Sequence, residues 1–355
     1  MAALEETPRA AAEMLDPHQI VARPPGADLR RALVLVTAAA ALVAAAAASL
    51  TLGAVHVPLR DVVDALTGQA EDGPLKQIVL QLRLPRTIDA ILVGAALGTA
   101  GAVLQGALGN PLASPDVIGV TGGAGFGAVL ILLVFPGAIA LLPIGALVCG
   151  SLAAALVFAI SWWGPDAGSI GKLLLAGIAV GSFFFAATTS IMVIYSDRVQ
   201  SAVFWIAGGL SSEGWQSTRA VWPYFIVGFI AAIALMRPLD RLALGDDVAA
   251  SLGARPRLVR LTACATAAVL AAAAASLAGL LGFLGLVTPH LVRLAGGDSS
   301  HTFVIPASAL SGAAILLAGD TLARVVAAPV ELPVGPFMVA LGVPLFLWLL
   351  RKTTV

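Results

Sequence analysis

The chain has 355 residues, of which 59% are hydrophobic and only 11% charged, and its mean hydropathy is +0.98. A soluble domain carries about 25% charged residues, so this composition excludes a globule solvated by water. The 20 basic and 20 acidic residues cancel, which leaves no net field to draw a nucleic acid.

Aromatics make up only 6% while glycines number 37, a balance that suits helices packed closely through small residues. Cys149 and Cys264 stand far apart in apolar runs with no CxxC or metal-ligand spacing. They read as small packing residues, and no metal site is expected.

Residues 1–29 carry Glu5, Glu6, Glu13, Asp16 and several prolines and are expected to form a flexible tail. Arg30-Arg31 then precede an apolar run from Ala32 to Leu52. That run is too late and too long for a cleaved signal peptide, whose apolar core spans about 7–15 residues. An uncleaved first span is expected. Further stretches able to cross about 30 Å of hydrocarbon fall near 88–108, 116–135, 141–163, 172–195, 220–236, 261–285, 304–319 and 336–350. A shorter, interrupted stretch covers 287–296. The expectation is ten transmembrane helices in one domain, 30–355.

Basic residues in short loops set orientation. With Arg30-Arg31 cytoplasmic, ten spans return Arg351-Lys352 to the same side. The 237–260 stretch, with Arg237, Arg241, Arg255, Arg257 and Arg260, falls there too. The loop with Asp61, Asp64, Glu71 and Asp72 falls outside. Both termini are therefore expected in the cytoplasm. The spacings Gly94/Gly98, Gly123/Gly127 and Gly177/Gly181 put paired glycines on one helix face, with no partner assigned.

The few polar groups within or beside the spans are informative because a central charge costs about 2.5–3.5 kcal/mol on insertion scales. Asp320 and Arg324 lie i, i+4 on one helix face, as a structural pair or as an outward-facing basic residue that docks a partner. Arg83 and Arg86 flank a helix-starting proline, either as interfacial anchors or as a basic knuckle for a carboxylate. Gly109 to Asp116 contains Asn110, Pro111 and Pro115, which stop and restart helices, and Asp116 suits a first helical turn. The stretch Gly245-Asp246-Asp247-Val248-Ala249-Ala250-Ser251-Leu252-Gly253-Ala254-Arg255 begins acidic, stops at glycine and turns basic. It is expected to form two short helices that dock in a groove of another protein, or else an ordinary basic loop. His290 follows Pro289 at a helix start, as a proton relay or a hydrogen-bonded structural residue. Gly171-Lys172 lacks the upstream glycine and the following Ser or Thr of a phosphate loop, so no nucleotide site is expected on this chain.

With these motifs in place, the chain resembles the FecCD family of ABC-importer permeases, which contains vitamin B12, haem and ferric-siderophore permeases. The resemblance covers about residues 30–352. It rests on Arg83-Leu-Pro-Arg86, Gly94-Ala-Ala-Leu-Gly98 with Gly101 and Gln105, Asn110-Pro-Leu-Ala113, Pro115, Gly119 and Gly122. It continues through Ala250-Ser-Leu-Gly253, Gly282-Phe-Leu-Gly-Leu-Val-Thr-Pro-His290, Asp320-Thr-Leu-Ala-Arg324 and Glu331-Leu-Pro-Val-Gly335. Ser114-Pro-Asp-Val117 and Gly245-Asp-Asp247 look more like the ferric-enterobactin permeases than the B12 ones. Departures are Asp298-Ser-Ser-His301, where the family often has Asp-His-Arg, and Gly109, where many members have Arg or Glu.

The resemblance implies an all-α fold of the vitamin-B12-permease type (a type II importer), paired with an identical or paralogous permease in the bacterial cytoplasmic membrane. Two separate ATPase chains, holding ATP and magnesium, would lie below, and a periplasmic or lipid-anchored binding protein above. It implies that Arg83, Arg86 and Arg324 meet glutamates of the binding protein. Gly245, Asp246, Asp247, Ala250, Leu252, Gly253 and Arg255 would couple to the ATPase. Asn110, Pro111, Pro115, Pro289, His290, Asp320 and Glu331 would be structural or gating residues. The cargo implied is a ferric siderophore, with haem or vitamin B12 as alternatives. An ion-coupled transporter would need a midplane acid or histidine at broken helices, and a membrane enzyme would need more than four histidines' worth of clustered ligands.

Overall fold

The computed structural model describes residues 27–353 apart from 54, 165–168, 211–213, 327 and 329, and every regular element among them is helical. The expected tail lies mostly outside the described residues. In chain order the helices are α1 (Ala27–Thr51), α2 (Leu59–Thr67), α3 (Pro74–Leu108), α4 (Val120–Val134), α5 (Pro136–Ser161), α6 (Ile170–Ile194) and α7 (Val199–Ile206). There follow α8 (Trp215–Leu242), α9 (Asp246–Ser251), α10 (Pro256–Ala278), α11 (Leu284–Gly296), α12 (His301–Val326) and α13 (Val334–Thr353). Seven of these, α1, α3, α5, α6, α8, α10 and α12, are long and apolar enough to cross a membrane. The shorter apolar α4 and α13 add two, and α11, thirteen residues that include His290 and Arg293, stands where the interrupted tenth stretch was expected.

Three helices form the centre. The apolar windows of α3, α10 and α12 are 78%, 72% and 61% buried, against 22% for α1 and 28% for α6 and α8, whose apolar surface faces outward. The central helix α3 has 35 residues, about 52 Å at 1.5 Å per residue, so it reaches beyond the hydrocarbon at one end. A π-helical turn over Ile78–Arg83 precedes its straight part. The helices α4, α5 and α6 pack on one another and meet the centre through α10.

Close packing explains the glycine pairs. A Cβ at Gly94 would lie 2.4 Å from the Gly312 carbonyl oxygen, one at Gly98 2.3 Å from that of Ser308, and one at Gly101 1.7 Å from that of Gly285. One face of α3 therefore touches α12 and α11 backbone to backbone. Gly123 and Gly127 of α4 do the same against Cys149 and Gly145 of α5, which confirms Cys149 as a packing residue. At Gly181 a Cβ would meet nothing within 4 Å.

The expected span 261–285 is corrected. The helix α10 ends at Ala278 because Gly279 turns left-handed (φ 65°) at a place where a Cβ would sit 2.2 Å from the Trp205 carbonyl oxygen. Phe283, the only described non-glycine with positive φ (67°), then starts α11. Pro289 and His290 consequently lie inside α11 and not at its start. The 237–260 stretch also differs from expectation. Residues through Leu242 continue α8, a single six-residue helix α9 follows, Gly253 (φ 79°) turns the chain, and α10 opens at Pro256. One short helix forms where two were expected, because proline at a first helical position starts the long helix directly.

Gly101→Ala is expected to destabilise the chain by roughly 1–3 kcal/mol through overpacking, whereas Gly181→Ala should stay within about 0.5 kcal/mol. Thermal unfolding of the two variants in detergent separates them, and equal melting temperatures would contradict the packing described.

Candidate functional site

Most of the charged side chains that the sequence singled out collect at the two ends of the bundle, and α3 joins them. At one end lie Arg83, Arg86 and Arg324. A proline in the first turn of the straight part of α3 lets that helix start beside Arg83. Arg86 lies one turn on and reaches α12, 234 residues away in sequence. Its Nη2 donates to Asp320 Oδ1 at 2.9 Å, its Nε to the same carboxylate at 3.1 Å, and its Nη1 to Glu331 Oε2 at 2.7 Å. Arg324 Nε donates to Asp320 Oδ2 at 3.1 Å, fulfilling the expected i, i+4 pair, and its Nη2 donates to Ser49 Oγ at 2.9 Å. Arg83 donates to the carbonyl oxygens of Leu50, at 2.7 Å, and Val55.

The three arginines thus come together as expected, but they are not free outward knuckles. All are buried, because the carboxylate of Asp320, the Ser49 hydroxyl and the carbonyls of Leu50 and Val55 take up their donors. Of the acids in this layer, Asp320 is only 1% exposed while Glu331 is 55% exposed. Ser49 and Thr87 share a 2.8 Å hydrogen bond beside them, and Thr218 Oγ1 of α8 donates to Asp89 at 2.7 Å.

At the opposite end the connection between α8 and α10 is exposed. Gly245, Asp246, Asp247, Ala250, Leu252, Gly253 and Arg255 all face outward, as do the apolar Leu244 and Val248, and only Ala249 is buried. A six-residue helix of this kind packs on its own chain through little more than Ala249. Arg260, which the sequence offered only as one of five loop arginines, holds it. Its Nη1 and Nη2 donate to the two oxygens of Asp246 at 2.7 and 2.8 Å. Nearby, Arg30 donates to the carbonyl oxygens of Leu294 and Ala295, and Arg31 pairs with Asp298 at 2.8 Å. His301 meets Asp240 at 2.8 Å, so the Asp298-Ser-Ser-His301 departure forms two separate polar ties.

The segment after α3 is folded on itself. Gly109 (φ 57°) caps the helix, and Asn110 Oδ1 accepts from the Leu112 amide at 2.9 Å. Pro111 is exposed and Pro115 is buried. Pro115 packs at Gly285, which in turn touches the Leu97 carbonyl halfway along the straight part of α3. Asp116 is therefore at mid-depth. Its carboxylate accepts from the hydroxyls of Ser114 and Thr121, and it stays exposed at a crevice that Leu97, Ala271, Leu280 and Phe283 also line. A charged side chain at that depth faces protein or a water-filled cavity and not lipid. The sequence marked Asp116 as a turn residue only. Its depth follows from the fold-back of 109–115, for which no periodicity gives a signal. His290 is half-buried with its Nε2 unpartnered, and no acid lies in hydrogen-bond contact with it among the described residues. No group of three or more potential metal ligands occurs among the described residues.

Residues 32–352 match the model of the FecCD transport family. The chain is 36% identical over 304 residues to the Fe(3+)-citrate import system permease protein YfmE of Bacillus subtilis (strain 168), covering 85% of this chain and 90% of that one. It is 37% identical over 322 residues to the iron(3+)-hydroxamate import system permease protein FhuB of the same organism, covering 90% and 83%. Among solved structures it is similar to an ABC transporter assigned to the metal-chelate type, in an inward-facing conformation. There the TM-score is 0.78 at 28% identity, over 91% of this chain and 99% of that one.

Removing Asp320 strands two buried arginines, so Asp320→Ala should cost roughly 3–5 kcal/mol. Glu331→Gln, at a half-exposed position, should cost no more than about 1 kcal/mol. Chemical or thermal denaturation in one detergent checks the order, and a Glu331 variant as unstable as the Asp320 variant would refute it.

Proposed function

The chain belongs to the FecCD transport family, and on that premise we propose that it is the permease of an ABC importer that moves a ferric siderophore across the bacterial cytoplasmic membrane by ATP-driven alternating access. The observation that carries this proposal is the division of labour along α3. One of its ends sits in a buried arginine–carboxylate layer, and the other lies beside a short helix whose residues are almost all exposed. A device for receiving a delivered chelate and a device for receiving mechanical work belong at opposite faces of a membrane.

In this scheme the α9 end is cytoplasmic, because Arg30, Arg31, Arg237, Arg241, Arg255, Arg257 and Arg260 collect there. Both termini then lie on that side. A second permease, identical or paralogous, completes the pathway. The mid-depth carboxylate of Asp116 lines it or meets the partner permease. Two ATPase chains bind ATP with magnesium and receive α9 through its exposed Leu244, Val248 and Leu252. Closure of the ATPases moves α9, and the pathway changes its open side. ATP and the delivered chelate act on that equilibrium only through different affinities for its two states.

Docking of the binding protein is assigned to the arginine layer, with Arg86 as its point of contact. Arg83 and Arg324 are committed to their own chain, whereas the partner of Arg86 on the open side is Glu331. A glutamate from the binding protein would compete with Glu331 for Arg86. Glu331→Gln should therefore tighten docking by roughly fivefold, about 1 kcal/mol, with the larger gain at low salt. Binding measured across a salt series checks this, and weaker or unchanged docking would remove Arg86 from the contact.

Asp116 at mid-depth beside broken helices is a feature that suits an ion-coupled transporter. Proteoliposomes holding the permease, its ATPase and its binding protein distinguish the two. Uptake of radiolabelled iron as citrate, hydroxamate and catecholate complexes, with haem and cobalamin as controls, should require ATP and survive ionophores. Uptake that needs an ion gradient and no ATPase would overturn the proposal.

A further inference from the structure

A coupling helix is useful only if its displacement reaches the helices that frame the pathway, and α9 packs chiefly on α8 and α10, the helices that flank it in the chain. The side chain of Arg260 extends that reach. It stands in the second turn of α10 and is partly buried, with 23% of its side chain exposed. Its two terminal nitrogens hold Asp246, the first residue of α9, in a bidentate grip. Its Nε donates at 3.2 Å to the carbonyl oxygen of Ala107, in the last turn of α3. The final carbonyls of a helix lack intrahelical donors, and a cation beside them is favoured by both hydrogen bonding and the helix dipole. One planar guanidinium thus joins α9, α10 and α3, which a lysine's single ammonium point could not do with the same geometry.

The helix it grips is the one best placed to carry a displacement. Gly94, Gly98 and Gly101 lock α3 backbone to backbone against α12 and α11, and close-packed interiors transmit strain with little compression. Beyond those contacts the same helix carries Arg86 into Asp320 and Glu331. In the turn that holds Ala107, Gln105 also donates to the Leu286 carbonyl of α11 at 3.2 Å and accepts from Arg293. The clamp lines a cleft of about 490 Å³ that opens at this end between α3, α8, α9 and α10. Asp246 is half-exposed there, within reach of whatever seats on α9.

We infer that Arg260 is the positioning residue that transmits movement of α9 to α3, through the Asp246 clamp on one side and the Ala107 carbonyl on the other. This rests on the proposed ABC-importer function. It goes beyond that function in making α3, and not the chain-linked α8 and α10 alone, the route by which ATP closure reaches the arginine layer.

The test uses the complete permease–ATPase–binding-protein complex in proteoliposomes, with the radiolabelled ferric complex that gives the highest wild-type uptake as the probe. ATP hydrolysis and uptake are measured together, and the readout is iron moved per ATP hydrolysed. In Arg260→Met this ratio should fall at least about tenfold while the ATPase still co-purifies and hydrolyses ATP. Arg260→Lys should be intermediate, and the exchanged pair Asp246→Arg with Arg260→Asp should recover part of what either single change loses. A purely structural role would lower the amount of folded complex and leave the ratio alone. Arg60→Met, at an exposed position of α2, serves as the control for an unrelated lost charge. If Arg260→Met does not accumulate, Asp246→Asn decides, because it weakens the clamp at a half-exposed site. A wild-type ratio in Asp246→Asn or Arg260→Met overturns the inference. Absence of ATP-dependent uptake in the wild type overturns the importer function itself, and the inference with it.

Discussion

Backbone contact between α3 and its neighbours α12 and α11 is the constraint on which the rest of the structure depends. Lipid tails are as apolar as leucine, so helices in a bilayer gain little from hiding apolar surface from one another. They associate where their surfaces fit, and Gly94, Gly98 and Gly101 let α3 approach until main chain touches main chain. That approach brings Arg86 within reach of Asp320 at one end and Gln105 within reach of Arg293 at the other. A methyl group at any of the three glycines would separate the partners.

The same contact accounts for where charge is tolerated. A buried ion pair seldom adds net stability, because desolvation offsets most of the attraction. The layer of Arg83, Arg86, Asp320 and Arg324 is better understood as a device for specifying register. Its geometry is satisfied at only one relative height of α1, α3 and α12, since the arginines also need the Leu50 carbonyl and the Ser49 hydroxyl. At the opposite end the ties are made by partly exposed groups such as Arg260 and Asp246. One end of the bundle is therefore held by buried ties and the other by ties that water can reach.

Much of this was legible in the residues. Span number followed from hydrophobic length, and the Asp320–Arg324 pair from helical spacing. The exposure of most of residues 245–255 was legible as well, because paired aspartates, two glycines and a closing arginine do not build a transmembrane segment. What could not be read were contacts between residues distant in sequence. Nothing local distinguishes Arg260 from Arg255 or Arg257, and nothing at Arg86 announces an acid 234 residues later. The burial of the arginines reversed their expected exposure for the same reason. Arg86 and Arg324 find Asp320 across the bundle, and the acceptors of Arg83 are the Leu50 and Val55 carbonyls, a group every residue type carries.

The sequence by itself determined that the chain lives in a membrane, that it crosses about ten times, and that most of its charged motifs fall outside the apolar runs. Apolar length, charge distribution and ordered motifs are local quantities, and hydrocarbon reads them directly. Only the tertiary structure decided that the α10 span stops at Gly279, that Asp116 hangs at mid-depth, and that α3 links the two ends. Each of those depends on one backbone meeting another, as when the Trp205 carbonyl leaves room for a glycine and nothing larger. Such meetings are set by packing in three dimensions and leave no periodic trace along the chain.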